Sequence, residues 1–287
     1  MLLAAGGVTT CGVVRVSTEQ REQALCWGAT TGNPDAPVNV FAPDERWPVA
    51  GLPCAFGGCS RRTLSLTVGV QHACVVATHA EPASVQKGTV FCWGYDYAGQ
   101  LGVGSTAAET CADGAGTWRC SRKAVPIASS LTFSAVSAGT AHTCALTTDS
   151  LVYCWGANAS GQLGATVGEQ CFRSPVGDDQ VPCSKTPILA VGGMRFSSIV
   201  AGQNATCGLQ ADNLVICWGS KPMIPVPDGR RYATISGTSG SGGSSEHFCG
   251  ISTPRGEVYC WGTNGFGELG NGTNTDSRIP VRVKEPQ

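Results

Sequence analysis

The sequence predicts an all-β protein, a β-propeller built from about five copies of one repeat. The tripeptide Cys-Trp-Gly occurs five times, beginning at Cys26, Cys92, Cys154, Cys217 and Cys260. Another cysteine precedes each copy, at Cys11, Cys74, Cys144, Cys207 and Cys249. The 287 residues include 39 Gly and 16 Pro, which is typical of many short strands joined by tight turns. Internal repeats of roughly 40 to 66 residues, each about four strands long, predict propeller blades.

Within each repeat, the residue types predict an antiparallel hairpin. The segment Leu151–Trp155 is β-branched and aromatic, and it follows the turn cluster Thr147–Ser150. The segments Val215–Trp218 and Glu257–Trp261 repeat this pattern. A Gly-x-Leu-Gly turn follows three of the tripeptides, at 99–102, 161–164 and 267–270. No amphipathic helix of ten residues or more is visible in the sequence.

Five repeats follow one another, and together they are predicted to form one domain over 1–287. Their predicted bounds are 1–63, 64–132, 133–195, 196–230 and 231–287. The first repeat lacks the Gly-x-Leu-Gly turn, and the fourth is too rich in proline after Gly219 for two further central strands. The fifth contains a Gly/Ser-rich loop at 236–245 and ends in the strand-like segment Arg278–Val283.

The sixteen cysteines predict a disulfide framework. Cys144 and Cys154 are symmetric about the turn residue Asp149, so their side chains should face each other across the hairpin at a bridgeable distance. The same reasoning gives Cys207–Cys217 and Cys249–Cys260, and we expect Cys11–Cys26 and Cys74–Cys92 to be the same cross-link over longer hairpin loops. The remaining six are expected to pair locally and to pin loops without a core, as Cys54–Cys59, Cys111–Cys120 and Cys171–Cys183. Metal binding is the alternative, but no Cys-x-x-Cys is present, so we expect no metal site.

The repeat resembles that of the regulator of chromosome condensation family, which carries an Ala-Gly-x-x-His-(Thr/Ser)-x-Ala-Leu strand, a strand ending in Trp-Gly, and then Asn-x-x-Gly-Gln-Leu-Gly. The matching residues are Ser137–Gly139, His142–Leu146, Trp155-Gly156, Asn158 and Gly161–Gly164. The last repeat matches from Glu257 to Gly272. The resemblance implies a β-propeller, commonly of seven blades in the family, whereas five repeats are counted here.

Net charge and motifs exclude several classes of function. The net charge of −1 and the pI of about 6.4 indicate no positive electrostatic field that would attract nucleic acid or acidic membranes. No run of 18 apolar residues predicts a membrane span. No nucleophile elbow, phosphate-binding loop, zinc-protease motif or dinucleotide fingerprint is present, so we expect neither an enzyme nor a bound cofactor.

Histidine and tryptophan are the remaining candidates for a site. His72, His142 and His247 each precede a repeat cysteine by two residues, and this recurrence favours a structural role in the turn of the histidine's own blade over a metal site. The repeated tryptophans are expected to pack between blades. Trp47 and Trp118 lie in insertions instead, and they are the candidates for exposed contacts with a partner.

These observations lead to one main hypothesis: a non-enzymatic extracellular or cell-surface propeller, acting as a structural or protein-interaction module. Its partner would be another protein or a second copy, because unpaired strand edges of incomplete terminal blades invite strand addition and filament growth. The first residues align with the repeat, so we expect the natural N-terminus to precede Met1. The alternative, by family analogy, is a guanine-nucleotide exchange or chromatin-binding propeller.

Overall fold

In a computed structural model, the protein is almost entirely β. The structure describes residues 2–6, 9–16, 21–28, 62–78, 88–105, 109–113, 116–173, 178–220, 224–225, 229–238 and 246–284. Trp47, Cys54 and Cys59 lie outside these ranges. In the described residues the only helical element is a single 3₁₀ turn, Val191–Gly193.

The strands form five antiparallel sheets, which follow one another along the chain. Sheet 1 has the order β1-β2-β3, with strands Leu2–Gly6, Thr9–Val16 and Arg21–Gly28. Sheet 2 has the order β4-β5-β6-β8-β7, with strands Arg62–Val68, His72–Thr78, Gly88–Tyr95, Glu109–Asp113 (β7) and Gly116–Pro126 (β8). In both sheets the first three strands are consecutive in the chain, and the second and third form the hairpin that the repeat predicts.

Sheets 3 to 5 repeat this arrangement. Sheet 3 has the order β9-β10-β11-β13-β12, with strands Phe133–Ala138, His142–Thr147, Val152–Ala157, Glu169–Phe172 (β12) and Gln180–Leu189 (β13). Sheet 4 runs from β14 to β17, with strands Ser198–Ala201, Ala205–Leu209, Val215–Gly219 and Ile224–Pro225. Sheet 5 runs from β18 to β21, with strands Tyr232–Gly237, His247–Ser252, Val258–Gly262 and Ser277–Arg282. The fourth strand of sheet 4 is only two residues long, in line with the proline-rich sequence there.

The glycine of the Cys-Trp-Gly tripeptide occupies a β-bulge in sheets 2, 3 and 5. Gly156 has a φ of 101°, in the left-handed region that favours glycine, and the strand register shifts between Cys154 and Gly156. A Cβ on Gly156 would lie 2.5 Å from the carbonyl oxygen of Ala141, closer than any side chain tolerates. A residue with a side chain at this position would therefore be strained and would clash with the neighbouring strand.

The core lies between the sheets rather than within any one of them. The forward face of each of sheets 1 to 4 packs on the next sheet along the chain, and the rear face of each of sheets 2 to 5 packs on the preceding sheet. Between sheets 2 and 3, for example, Val76 and Val90 of the forward face contact Val136 and Trp155 of the rear face. Equivalent clusters join sheets 1 and 2, sheets 3 and 4, and sheets 4 and 5.

Candidate interaction surfaces and the interfaces between blades

The repeat cysteines lie on the forward faces, and those of sheets 1 to 4 are inside the interfaces between sheets. Each predicted hairpin pair is directly opposed in the strand register, with Cα atoms 4.0 to 4.1 Å apart. The insertion pairs Cys111–Cys120 and Cys171–Cys183 also lie at disulfide distance, with Cα atoms 5.8 Å apart. They cross-link the hairpins β7–β8 and β12–β13, so these insertions are ordered outer strands rather than the loops that the sequence suggested.

A chain of hydrogen bonds joins consecutive sheets. His142 Nε2 lies 3.0 Å from Thr206 Oγ1, and this hydroxyl donates to the carbonyl oxygen of Gln162 at 3.0 Å. Trp218 Nε1 donates to the same carbonyl oxygen at 3.0 Å. Because the single hydroxyl hydrogen of Thr206 goes to Gln162, His142 must donate from Nε2.

The preceding interface contains the same four groups. His72 Nε2 lies 2.7 Å from Thr143 Oγ1, and both Thr143 and Trp155 donate to the carbonyl oxygen of Gln100 at 2.9 Å. The histidines thus have a structural role, as the sequence indicates, but the expected partner was wrong: they bond to the next sheet rather than to the turn of their own blade.

Burial keeps both of these histidines uncharged. Desolvation lowers the pKa of His72 and that of His142 from 6.5 to about 3, and the His142 ring adds to the effect on His72.

Four of the five repeat tryptophans are buried in the clusters between sheets, namely Trp93, Trp155, Trp218 and Trp261. This confirms the packing role predicted for them. The side chain of Trp27 lies outside the described part of the structure.

The interface between sheets 4 and 5 uses a carboxylate instead of a histidine. Ala205 occupies the histidine position of sheet 4, and Phe248 occupies the threonine position of sheet 5. Glu246 Oε1 accepts hydrogen bonds of 2.7 Å from the backbone N–H groups of Asn204 and Ala205, and its Oε2 accepts one from the Ser220 hydroxyl. These three donors satisfy a carboxylate that is almost fully buried.

Trp118 is only partly exposed, whereas the sequence analysis expected an exposed contact residue. It is half-buried on β8 and packs against a cluster that includes Tyr95, Tyr97 and Val181. Next to it, Arg119 Nη2 donates to Asp96 Oδ2 at 3.2 Å. Burial raises the pKa of Asp96 to about 6, although the Leu101 N–H and Arg119 partly offset the effect.

Within the described ranges, the structure contains no group of three or more His, Cys, Asp or Glu side chains arranged to hold a metal. No helix among those residues is long and apolar enough to cross a membrane.

Comparison with known families matches the Regulator of chromosome condensation (RCC1) repeat to residues 87–146, 149–209 and 255–287. A second description of the same repeat matches residues 133–162. Among curated relatives, the ultraviolet-B receptor UVR8 of Arabidopsis thaliana is 26% identical over 214 residues, which are 71% of this chain and 44% of the receptor. The human E3 ubiquitin-protein ligase HERC2 is 27% identical over 213 residues, 70% of this chain and 4% of the ligase. The chain thus spans less than half of either relative.

Solved structures show the same fold. Human WBSCR16 superimposes with a TM-score of 0.64 and 18% identity, over all of this chain and 67% of its own. Prp20p from Saccharomyces cerevisiae, described with its binding to Gsp1p and histones, gives a TM-score of 0.64 and 19% identity over 99% of this chain and 63% of its own.

Proposed function

The chain belongs to the regulator of chromosome condensation repeat family, and we propose that it acts as a non-enzymatic protein-interaction module in an oxidising, extracellular or cell-surface setting. The observation that supports this most is the set of seven cysteine pairs at disulfide distance, five of which lie between directly opposed strand residues. Thiols in the cytosol are kept reduced, so a fold with this many bridges is suited to a secreted protein.

The absence of an enzymatic motif supports the non-enzymatic part of the proposal. The ligase activity named for HERC2 gives no support for an enzyme here, because the match covers only 4% of that ligase. The family fold supports many functions, so the contacts have to come from residues particular to this chain. The insertions are the best source of such contacts, and Trp47 and Trp118 remain the proposed contact residues.

Counting free thiols tests the compartment. The native, metal-free protein is alkylated and weighed intact, and a second sample is treated in the same way after reduction and denaturation. We expect no alkylation before reduction and sixteen alkylations after it, which also requires a bridge between Cys54 and Cys59. Several free thiols in the native protein would contradict the oxidising setting.

A second candidate is guanine-nucleotide exchange or chromatin binding, and it rests on the fold shared with Prp20p. The net charge of −1 provides no field for chromatin DNA. Release of a fluorescent guanine nucleotide from a small GTPase, measured with and without this chain, tests the exchange activity. An unchanged release rate would remove this candidate.

A further inference from the structure

The three turns that contain Gly-x-Leu-Gly differ in one buried side chain. Three residues before the first glycine, the turns after β6, β11 and β20 carry Asp96, Asn158 and Asn264. Each of these side chains accepts, at Oδ1, the backbone N–H five residues further on, at 3.0, 3.0 and 2.8 Å. The two asparagines also donate from Nδ2 to a carbonyl oxygen of the same loop, at 2.9 and 2.8 Å. An ionised aspartate has no hydrogen to donate, so the turn of sheet 2 needs a donor from another residue.

Arg119 of β8 is that donor. Its Nη2 lies 3.2 Å from Asp96 Oδ2 and 3.2 Å from the carbonyl oxygen of Gly104, at the far end of the turn. Pro182 has the corresponding position in sheet 3, because its carbonyl oxygen accepts the N–H of Asn158 as that of Arg119 accepts the N–H of Asp96. An amide is thus found opposite a proline, and a carboxylate opposite an arginine. The Arg119 side chain ties the hairpin β7–β8 to the turn after β6.

The Asp96 carboxylate is buried, which makes its charge costly. The residue is only 2% exposed. The charged groups that face it are Arg119 of β8 and Lys185 of β13, the second of which also lies 3.9 Å from Glu169, and both cations favour the ionised form. Burial outweighs them and raises the pKa of Asp96 to about 6. The neighbouring Tyr97 stays uncharged, because burial raises its pKa above the usual range. Mild acid therefore adds a proton to Asp96, whereas the asparagines of the other two turns do not titrate.

We propose that Asp96 and Arg119 form an acid-sensitive switch, which holds the hairpin β7–β8 to the turn after β6 while Asp96 is ionised and releases it when Asp96 is protonated. A protonated carboxyl group has an O–H donor, so Asp96 can then make the bond within the loop that asparagine makes in sheets 3 and 5. Arg119 loses its charged acceptor at the same time, since two donors would now face each other. The turn stays closed, and the hairpin loses its tie to it.

The release concerns the outer end of the hairpin. β8 stays paired with β6 at Val125, and Cys111 and Cys120 lie at disulfide distance and keep β7 joined to β8. Trp118 is adjacent to Arg119 on β8, and successive side chains of a strand point to opposite faces. Release of Arg119 therefore loosens the strand that carries a proposed contact residue. In this respect the inference rests on the proposed interaction module, and it gives that module a regulation by acid.

Hydrogen exchange followed by mass spectrometry measures the release, and the hairpin β12–β13 is the internal control because its turn begins with Asn158. Exchange is compared at pH 7 and at pH 5, one unit on either side of the pKa of Asp96. The ratio of the two hairpin rates cancels the intrinsic effect of pH on exchange. Exchange of β7–β8 relative to β12–β13 should rise by about tenfold at the lower pH, as expected for the loss of one charge-assisted hydrogen bond. An unchanged ratio overturns the proposal.

Two variants should show fast exchange of β7–β8 at both pH values. Asp96→Asn gives the turn the amide that the other two turns have, and Arg119→Met removes the donor. Glu109→Gln is the matched control, because Glu109 lies 4.0 Å from Arg122 on the same hairpin in an exposed pair, and it should keep the response of the parent chain. An Asp96→Asn variant that keeps slow exchange at pH 7, or still responds to pH, overturns the proposal. The thiol count is independent of these measurements, so failure of the switch is distinguishable from failure of the proposed setting.

Discussion

Thr206 links sheets 3 and 4 through a single hydroxyl that bonds to His142 and to the carbonyl oxygen of Gln162. Thr206→Val keeps the shape of the side chain but leaves the buried imidazole N–H without an acceptor. Unsatisfied buried donors cost about 1–3 kcal/mol, so we expect the free energy of unfolding in urea to fall by about that amount.

Thr10→Val is the control for this experiment, because Thr10 has the same repeat position on a face that no preceding sheet covers in the described structure. The free energy of unfolding should change little in this variant. Similar losses in both variants would show that the threonine acts within its own strand and not between sheets.

The buried histidines link stability to pH. In the unfolded chain a histidine binds a proton below about pH 6.5, whereas the folded pKa of His142 is about 3. Between these values the unfolded state binds more protons, so the contribution of His142 to stability falls as the pH falls. The slope for one proton is about 1.4 kcal/mol per pH unit.

His142→Gln should remove this slope, so the difference in unfolding free energy between the variant and the parent chain should change by about 1.4 kcal/mol per unit between pH 6 and pH 4. The raised pKa of Asp96 acts in the opposite direction below about pH 6, but it is common to both chains and cancels in the difference. Urea titrations at several pH values measure the effect. A difference that does not change with pH would contradict neutral burial of His142, and His72→Gln provides an independent repeat.

At the scale of elements, the cross-strand cysteine pairs differ in their access to solvent. Cys144 and Cys154 are fully buried between sheets 3 and 4, whereas Cys249 lies half-exposed on the forward face of sheet 5, which no sheet covers in the described structure. Thiol–disulfide exchange requires the attacking thiolate to reach the sulfur. We therefore expect mild reductant to open Cys249–Cys260 before Cys144–Cys154.

Differential alkylation followed by peptide mass spectrometry would give the order of reduction. If Cys144–Cys154 opened first or at the same rate, burial between the sheets would not be what protects the inner pairs.

The hairpins were predictable from the sequence because their partners are close along the chain. Cys144 and Cys154 are ten residues apart, and the turn between them sets their register. The partners of the histidines were not predictable in this way. His72 bonds to a residue 71 positions away, and that pairing depends on how one sheet stacks on the next. The hairpin β7–β8, which contains Trp118, was also missed, because it is an addition to the repeat.

At the scale of the whole molecule, the structure is a succession of propeller blades, each formed by one sheet. Each sheet buries its faces against its neighbours along the chain, so stability is approximately a sum of sheets and of the interfaces between them. Within the described residues, sheets 2 to 4 each have two such interfaces, and sheets 1 and 5 each have one. We therefore propose that sheets 1 and 5 are the least stable parts of the predicted single domain over 1–287.

This stacking predicts a gradient of hydrogen-exchange protection. Backbone amides of β10 and β11 in sheet 3 should exchange most slowly, and those of β2 in sheet 1 and β19 in sheet 5 should exchange fastest, because an end sheet can open by breaking a single interface. Exchange followed by mass spectrometry on dilute protein measures this directly. Equal protection of the end and central sheets would mean either that the ring closes or that all sheets open together.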